Sequence, residues 1–305
     1  MLKLLLFIVF IFLIINSIFS IKEGLNEDNK CAFCIPLHNK HFIYAYDLIK
    51  ELSNEPVDLY FIFTTKIDKD HFFSNIKYGQ NIKYLILSEF ADIELIKKQN
   101  CFPAIKKLYA LSVLYKNYDF ISCVDSEIEF INKTNFYDVM KQISKQKIIC
   151  GGDISTNKDS VKQYKYIIQD TLTNIVPLND RDEMKRISKK YNIYTWWSNL
   201  PVYESKKIPI FLNWINFNND SFIKKMNWSV FDDMLYNYFL ILKYKYKLYI
   251  VPNLQHSLEY APSKIIEYVD KNICKIYWVN KTAFLDNKKY YKHNNFYLIY
   301  HIDRK

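Results

Sequence analysis

Two acidic side chains, Asp125 and Glu127, stand one residue apart where an apolar segment ends. The range Tyr118–Phe130 reads YDFISCVDSEIEF, so a short buried strand is predicted to deliver both carboxylates together. In open α/β sheets, ligands bind at the carboxyl ends of strands. Two carboxylates there can hold one hard divalent cation of the Mg²⁺ type, which keeps coordination positions for phosphate oxygens. The pair therefore predicts a metal site that binds a diphosphate.

The same spacing occurs twice more, in Asp68–Asp70 and in Asp180–Asp182. Because 32 of the 305 residues are acidic, about three such pairs are expected by chance, so the spacing alone is uninformative. Both ranges are interpreted as helix starts with the first Asp as N-cap, and Glu183 gives the second one capping-box spacing. Only the Asp125 pair follows a predicted buried strand.

Two further carboxylates, Asp232 and Asp233, lie at the predicted start of a helix within Trp228–Tyr238 (WSVFDDMLYNY). A carboxylate within hydrogen-bond reach of a hydroxyl group can remove its proton during attack on a carbon. Helix capping and the macrodipole also favour acidic residues there, and the sequence leaves both interpretations open.

Lysines and glycines add candidate ligand contacts. Lys106 and Lys107 open a predicted helix, where their charge and the helix N-terminus both favour phosphate; the alternative is an exposed lysine pair. Gly151 and Gly152 follow a predicted strand and would let the backbone approach a ligand closely; the alternative is a plain turn.

Aromatic residues and one histidine mark the second half of the chain. Trp196, Trp197, Trp214 and Trp228 offer flat faces that stack on sugars, although tryptophans more often belong to the core. His256 follows the last strong predicted strand and is a candidate third metal ligand or diphosphate contact, with a structural or surface position as the alternative.

The six cysteines include the pair Cys31–Cys34, which has the spacing of thiol oxidoreductases. In those enzymes a helix begins at the pair and lowers a thiol pKa. Here the pair lies within or before a predicted strand and Pro36 follows, so a redox function is the weaker hypothesis. The even number of cysteines permits disulfides without requiring them. Cys123 and Cys150 are predicted to be buried in strands.

Strand-like and helix-like segments alternate along the chain, which favours an α/β fold. The apolar runs indicate a mostly parallel central sheet with helices on both faces, in one domain whose second half completes a pocket. The predicted strands are Ala32–Leu37, Val57–Thr65, Ile82–Glu89, Phe120–Val124, Lys147–Cys150, Ile208–Leu212 and Lys247–Val251. The predicted helices are His41–Leu52, Ala104–Tyr115, Phe136–Ser144, Asp159–Thr171, one after Asp180, and Phe231–Tyr244.

Composition excludes several classes of protein. The chain is 50% hydrophobic and has only 4 Gly, which argues against disorder, a P-loop and a glycine-rich dinucleotide turn. Its net charge is +10, but only Arg181, Arg186 and Arg304 are arginines and no dense basic run occurs. Direct base readout relies on arginine, so no nucleic-acid partner is predicted.

The amino terminus has the features of a targeting segment. Lys3 precedes the apolar run Leu4–Ile15, so residues 1–21 are predicted to be a signal peptide or a signal anchor. Residues 22–30 are predicted to be a linker and residues 31–305 a catalytic domain. The mature chain is then expected in the secretory lumen (endoplasmic reticulum or Golgi), either secreted or anchored in the membrane in type II orientation. Four Asn-X-Ser/Thr sites agree with that location: Asn132, Asn219, Asn227 and Asn280.

With Asp125-Ser126-Glu127 closing a predicted central strand, the chain after Cys31 resembles nucleotide-sugar-dependent glycosyltransferases of the GT-A fold. The resemblance implies that Asp125 and Glu127 bind Mn²⁺ or Mg²⁺ together with the donor diphosphate. It also implies donor contacts from a basic residue before the motif, Lys106 or Lys107. The nucleotide would lie over the ends of the first two strands, at Pro36, Leu37, His38, Thr64 and Thr65.

The same resemblance implies a general base for the acceptor hydroxyl, Asp233 or Asp232, and a metal-ligand role for His256. The expected function is metal-dependent transfer of a sugar from a nucleotide-sugar donor to a hydroxyl of a glycan, glycoprotein or glycolipid. Glu127 stands where the motif more commonly has Asp. That departure motivates the alternative of a catalytically inactive, lumenal carbohydrate-binding module.

Overall fold

The computed structural model describes residues 30–130, 135–153, 162, 165–191, 193–194, 200–217, 220–251, 276–278 and 297–300. Contacts divide the chain after Lys30, and Cys31–Lys305 forms one compact unit. The predicted targeting segment, residues 1–21, lies outside the described residues, as does most of the linker. Within the described part of the chain, no helix is both long and apolar enough to cross a membrane.

Among the described residues the strands form three sheets, and the five-stranded one, ordered β3-β2-β1-β4-β8, is central. Strands β1 to β4 run parallel, and β8 pairs antiparallel with β4. In chain order the strands are β1 (Cys31–Pro36), β2 (Asp58–Phe63), β3 (Ile82–Ile86), β4 (Phe120–Cys123), β5 (Ile128–Phe130), β6 (Ile148–Asp153), β7 (Ile193–Tyr194), β8 (Val202–Glu204), β9 (Lys247–Val251), β10 (Ile276–Trp278) and β11 (Tyr297–Tyr300).

Helices cover both faces of the central sheet. They are α1 (Phe42–Leu52), α2 (Lys66–Phe73), α3 (Ile93–Gln99), α4 (Phe102–Leu114), α5 (Phe136–Lys145), α6 (Thr173–Ile175, after a π-helix at Tyr166–Leu172), α7 (Leu178–Tyr191), α8 (Ile208–Trp214), α9 (Asp220–Ile223) and α10 (Asp232–Tyr244). Buried residues of α1 and α5 pack on one face, and those of α4, α8 and α10 on the other. The predicted fold class, a mostly parallel α/β sheet flanked by helices, is confirmed.

Burial on both faces explains why the strands read as unbroken apolar runs. In β1, Phe33 and Ile35 belong to one buried cluster, and Ala32 and Cys34 belong to the other. Successive side chains of a strand point to opposite faces, so a strand covered on both sides needs apolar residues at every position.

Two strand predictions were wrong. Strand β6 does not stop before the glycines but continues to Asp153, with Gly151 opposite Ile250 and Gly152 opposite Val251 in β9. The alternative of a plain turn at these glycines is therefore wrong as well, and their predicted ligand contact stays a prediction. The apolar segment at Ile208 forms helix α8, which has proline in its first turn, because a short apolar run does not distinguish a strand from a buried helix.

Candidate active site

A cleft of about 750 Å³ lies at the carboxyl ends of β1, β2 and β4. Residues from both halves of the chain line it, in agreement with the expectation that the second half completes a pocket. The lining includes Pro36, Leu37, His38, His41, Thr64, Asp68, Lys97, Lys106, Lys107, Cys123, Asp125, Glu127, Asn227, Trp228, Asp232 and Asp233.

The donor end of the cleft, as implied by the resemblance, contains a buried lysine. Lys106 is 3% exposed, and its ammonium group donates a 2.6 Å hydrogen bond to the carbonyl oxygen of Leu37, just after β1. Burial lowers the pKa of Lys106 to about 8. Burial also lowers the pKa of His38, and the charge of Lys106 contributes. A desolvated cation that lines a cleft is a favourable neighbour for an anion.

Thr65 caps helix α2, and its predicted contact with the nucleotide stays a prediction. Its hydroxyl donates a 2.9 Å hydrogen bond to Asp68 Oδ2 and accepts a 3.2 Å one from the Asp68 backbone amide. Asp68 is therefore the third residue of a capping box and not the N-cap, so that prediction was wrong in position. At the end of β2, Thr64 lines the cleft.

Lys107 lies between two of the predicted functional carboxylates. Its ammonium nitrogen is 2.9 Å from Asp125 Oδ1 and 3.8 Å from Asp232 Oδ1. Burial by itself lowers the pKa of Lys107, but Asp125 and Asp232 outweigh it and hold this pKa well above its usual value. Helix α4 begins at Phe102, so both lysines lie in its second turn, and the alternative of an exposed lysine pair is wrong.

Glu127 and Asp125 contact different residues. Glu127 Oε2 lies 3.1 Å from His41 Nδ1 and accepts a 2.9 Å hydrogen bond from the Ser126 hydroxyl. Glu127 is 9% exposed, so these contacts give a nearly buried carboxylate its polar neighbours. The two acids of the motif therefore leave the strand together, as their spacing predicts, but each contacts a different neighbour, Lys107 in one case and His41 in the other.

This divergence bears on the predicted Mn²⁺ or Mg²⁺. Carboxylate oxygens suit such ions chemically, but Asp125 faces an ammonium group and Glu127 an imidazole, which does not fit a shared two-carboxylate site. Among the residues described, no three acidic, histidine or cysteine side chains are grouped as a metal centre. His256 lies outside them. The metal requirement stays a prediction, and no reaction step is derived through it.

Asp232 and Asp233 occupy the first turn of α10, whose N-cap is Phe231, so neither aspartate caps the helix. Asp232 is 4% exposed and accepts a 2.5 Å hydrogen bond from the Tyr203 hydroxyl. Burial, and next the charge of Asp232, raise the pKa of Asp233 to about 7. Asp233 also borders a second cavity of about 50 Å³. A carboxylate with this pKa in a cleft can accept a proton near neutral pH.

The tryptophans divide between core and cleft. Trp214 is 7% exposed and donates a 2.7 Å hydrogen bond to Asp180 Oδ2, so the core interpretation holds for it. Trp228 is 52% exposed and lines the cleft. Asp180 lies within α7, which begins at Leu178, so its assignment as N-cap was wrong. Trp196 and Trp197 lie outside the described residues.

The redox hypothesis for Cys31 and Cys34 is not supported by their positions. Cys31 belongs to the cluster on one face of the sheet and Cys34 to the cluster on the other, because residues three apart in a strand point oppositely. Burial raises the pKa of Cys31 to about 12. The cysteines at 31, 34, 101 and 123 are all free and buried, which confirms the prediction for Cys123. No burial is described for Cys150.

Sequence reasoning missed Tyr203, His41 and Ser126. Tyr203 reaches the site from β8, an edge strand far away in sequence, and only strand pairing brings it to Asp232. His41 was assigned to the start of a predicted helix. Its separation of 86 positions from Glu127 carries no signal in a single sequence.

Comparison with known proteins gives little information. No family model matches the chain, and no curated protein matches it. A solved structure, that of 4-diphosphocytidyl-2C-methyl-D-erythritol synthase from Anaerococcus prevotii, is similar over 73% of this chain and 87% of its own. The two chains are 15% identical and superpose with a TM-score of 0.36. A similarity this low carries no functional argument.

Proposed function

We propose that this chain is a glycosyltransferase that moves a sugar from a nucleotide-sugar donor to a hydroxyl group of a glycan, glycoprotein or glycolipid. One observation carries the proposal. A cleft at the carboxyl ends of parallel strands contains the buried Lys106, the mostly buried Lys107, and a carboxylate, Asp233, whose pKa is about 7. Anion binding and proton acceptance are the two tasks that this transfer requires.

The donor diphosphate is proposed to bind against Lys106 and Lys107. Both lysines reach the cleft from the second turn of α4, beside the turn that follows β1. An ammonium group in a desolvated cleft stabilises the negative charge that develops on a leaving diphosphate more strongly than it would in water. The nucleotide would then extend over Pro36, His38 and Thr64.

The acceptor hydroxyl is proposed to bind near Asp233. In an inverting transfer, the hydroxyl proton moves to the Asp233 carboxylate while the hydroxyl oxygen attacks the anomeric carbon. The bond from that carbon to the diphosphate oxygen breaks, and the nucleoside diphosphate leaves with the electron pair. Asp232 is held by Tyr203 and Lys107, so we assign the base role to Asp233 and a positioning role to Asp232.

Isothermal calorimetry of the full chain with nucleoside diphosphates and nucleotide sugars tests the proposal. Each titration is run with Mn²⁺, with Mg²⁺ and with a chelator, which also tests the predicted metal requirement. Asp125→Asn is expected to weaken donor binding, because it breaks the ion pair that orients Lys107. Asp182→Asn, in an acidic pair outside the cleft lining, is the matched control. No binding of any nucleotide to the folded chain would overturn the proposal.

A second candidate function is a carbohydrate-binding module without turnover. The contacts of Glu127 with His41 and Ser126 favour it, because they occupy a carboxylate that the motif would use for a metal. Release of nucleoside diphosphate from a nucleotide sugar, with and without acceptor, separates the two candidates: an enzyme releases it and a binding module does not.

The secretory lumen remains the proposed location. It rests on the apolar amino-terminal segment, with membrane attachment if that segment is not cleaved. Protease protection of the tagged full chain in microsomes tests it, because a lumenal chain is digested only after detergent is added.

A further inference from the structure

We propose that Trp228 and Tyr166 form an aromatic platform that binds a pyranose ring of the acceptor glycan. The proposal rests on the proposed function, because it assigns the acceptor side of the same cleft. Trp228 lines that cleft, and Tyr166 lies beside it on the π-helix before α6.

The two rings are exposed although they are large and apolar. Trp228 is 52% and Tyr166 44% exposed, and their ring centroids are 6.4 Å apart at an interplanar angle of 25°. Trp214, in contrast, is only 7% exposed, so burial of a tryptophan is possible in this fold. Adjacent exposed aromatic faces beside a pocket are typical of a binding surface.

Buried polar contacts connect the two segments that carry the aromatic rings. Ser229 is fully buried, and its hydroxyl group lies 3.1 Å from Thr171 Oγ1 and 2.6 Å from Asn227 Oδ1, so that its one hydrogen can be donated to either acceptor. The Thr171 hydroxyl donates a 3.3 Å hydrogen bond to the carbonyl oxygen of Tyr166. The loop with Trp228 and the helix with Tyr166 are thereby connected, and a surface ordered in advance loses less conformational entropy on binding.

The chain segment that carries Trp228 favours the acceptor sugar as the occupant. Trp228 shortly precedes Asp232 and Asp233, where the acceptor hydroxyl is proposed to lose its proton, whereas Lys106 and the end of β1 form the donor end. A pyranose ring has an apolar face of C–H groups and a rim of hydroxyls. Its apolar face can cover an aromatic ring while its hydroxyls stay in water. We therefore assign the platform to the acceptor sugar and not to the nucleobase.

The test measures binding of the full chain to an array of hexose- and N-acetylhexosamine-terminated oligosaccharides, in the presence of a nucleoside diphosphate. Trp228→Ala is expected to weaken glycan binding by at least about tenfold, and Trp228→Phe to retain most of it. Thr171→Val, which removes a support and leaves both rings, is expected to give an intermediate loss. Tyr78→Ala is the matched control, because Tyr78 is 50% exposed, precedes the edge strand β3 and does not line the cleft.

The affinity for the nucleoside diphosphate, measured by calorimetry, is expected to be the same in all variants. Equal glycan binding by Trp228→Ala and wild type overturns the platform, as does an array on which the wild type binds no glycan. Loss of nucleotide binding in Trp228→Ala with glycan binding intact also overturns it, because the ring then holds the nucleobase. If no variant binds nucleotide but glycan binding depends on Trp228, the proposed function fails and the platform stands.

Discussion

The hydroxyl group of Tyr203 donates a 2.5 Å hydrogen bond to Oδ2 of Asp232, and this contact joins the antiparallel edge strand β8 to the first turn of α10. Tyr203 has no exposed surface, and Asp232 is 4% exposed. The other carboxylate oxygen of Asp232 lies 3.8 Å from the ammonium nitrogen of Lys107, which contacts Asp125 in turn. One chain of polar contacts thus connects β8, α10, α4 and the residues after β4.

Tyr203→Phe removes the hydrogen-bond donor to Asp232 and keeps the ring. Because the acceptor is a buried carboxylate, the variant is expected to unfold with a free energy lower by about 2 kcal/mol. Urea denaturation monitored by circular dichroism measures the change. Tyr84→Phe, at an exposed position, is the control and should be neutral; a neutral Tyr203→Phe would show that the contact contributes no net stability.

Lys107→Met removes the cation between Asp125 and Asp232. The variant is expected to lose about 3 kcal/mol of stability, because it leaves the buried carboxylate of Asp232 without its opposite charge. It should also bind nucleoside diphosphates more weakly. Adding Asp232→Asn to Lys107→Met should restore part of the stability without restoring nucleotide binding, which separates the two effects. A double variant no more stable than Lys107→Met contradicts the ion-pair interpretation.

Asp233 is expected to control the pH dependence of transfer. Its pKa of about 7 means that the fraction of the basic carboxylate form increases as the pH rises through 7, so kcat should rise over the same interval. Asp233→Asn should abolish sugar transfer. A raised carboxyl pKa in the folded state makes stability fall as the pH rises from the unfolded value near 3.8 to about 7. Asp233→Asn should therefore raise the melting temperature relative to wild type at pH 8 more than at pH 4.

Lys106 is expected to make the affinity for nucleotides fall as the pH rises. Its pKa is lowered to about 8, so the ammonium group loses its proton as the pH rises through 8. Affinity for a nucleoside diphosphate is expected to fall between pH 7 and pH 9 in the wild type. In Lys106→Met the affinity should be lower throughout and the decline weaker. Calorimetry at several pH values measures both chains, and parallel pH profiles would show that Lys106 does not face the phosphates.

The four buried free cysteines should be unreactive in the native state. A thiol reagent at pH 8 is expected to label Cys31, Cys34, Cys101 and Cys123 only after denaturation, since all four side chains are buried and the reagent cannot reach them in the folded chain. The protein should not reduce insulin, and Cys34→Ser should change nothing. Rapid native labelling of Cys34 followed by mass spectrometry would restore the redox hypothesis.

The sequence by itself determined the layered α/β fold and the region of the site. Apolar runs such as β2 separated by amphipathic segments such as α5 specify a sheet buried on both faces, and strand ends of parallel neighbours share one edge. For that reason Asp125 and Glu127, which follow β4, are expected at a ligand site. Lys106, Lys107, Asp232 and Asp233 lie on helices, and only the resemblance to GT-A glycosyltransferases implied that they belong to the same site; all six line the cleft.

Only the tertiary structure decided which side chains meet within that cleft. Spacing places Asp125 and Glu127 together, but their directions depend on partners from other elements, Lys107 from α4 and His41 before α1. The apolar segment at Ile208 became a helix and β6 continued through its glycines for the same reason. Packing and pairing with distant strands outweigh local preference when a short segment suits more than one conformation.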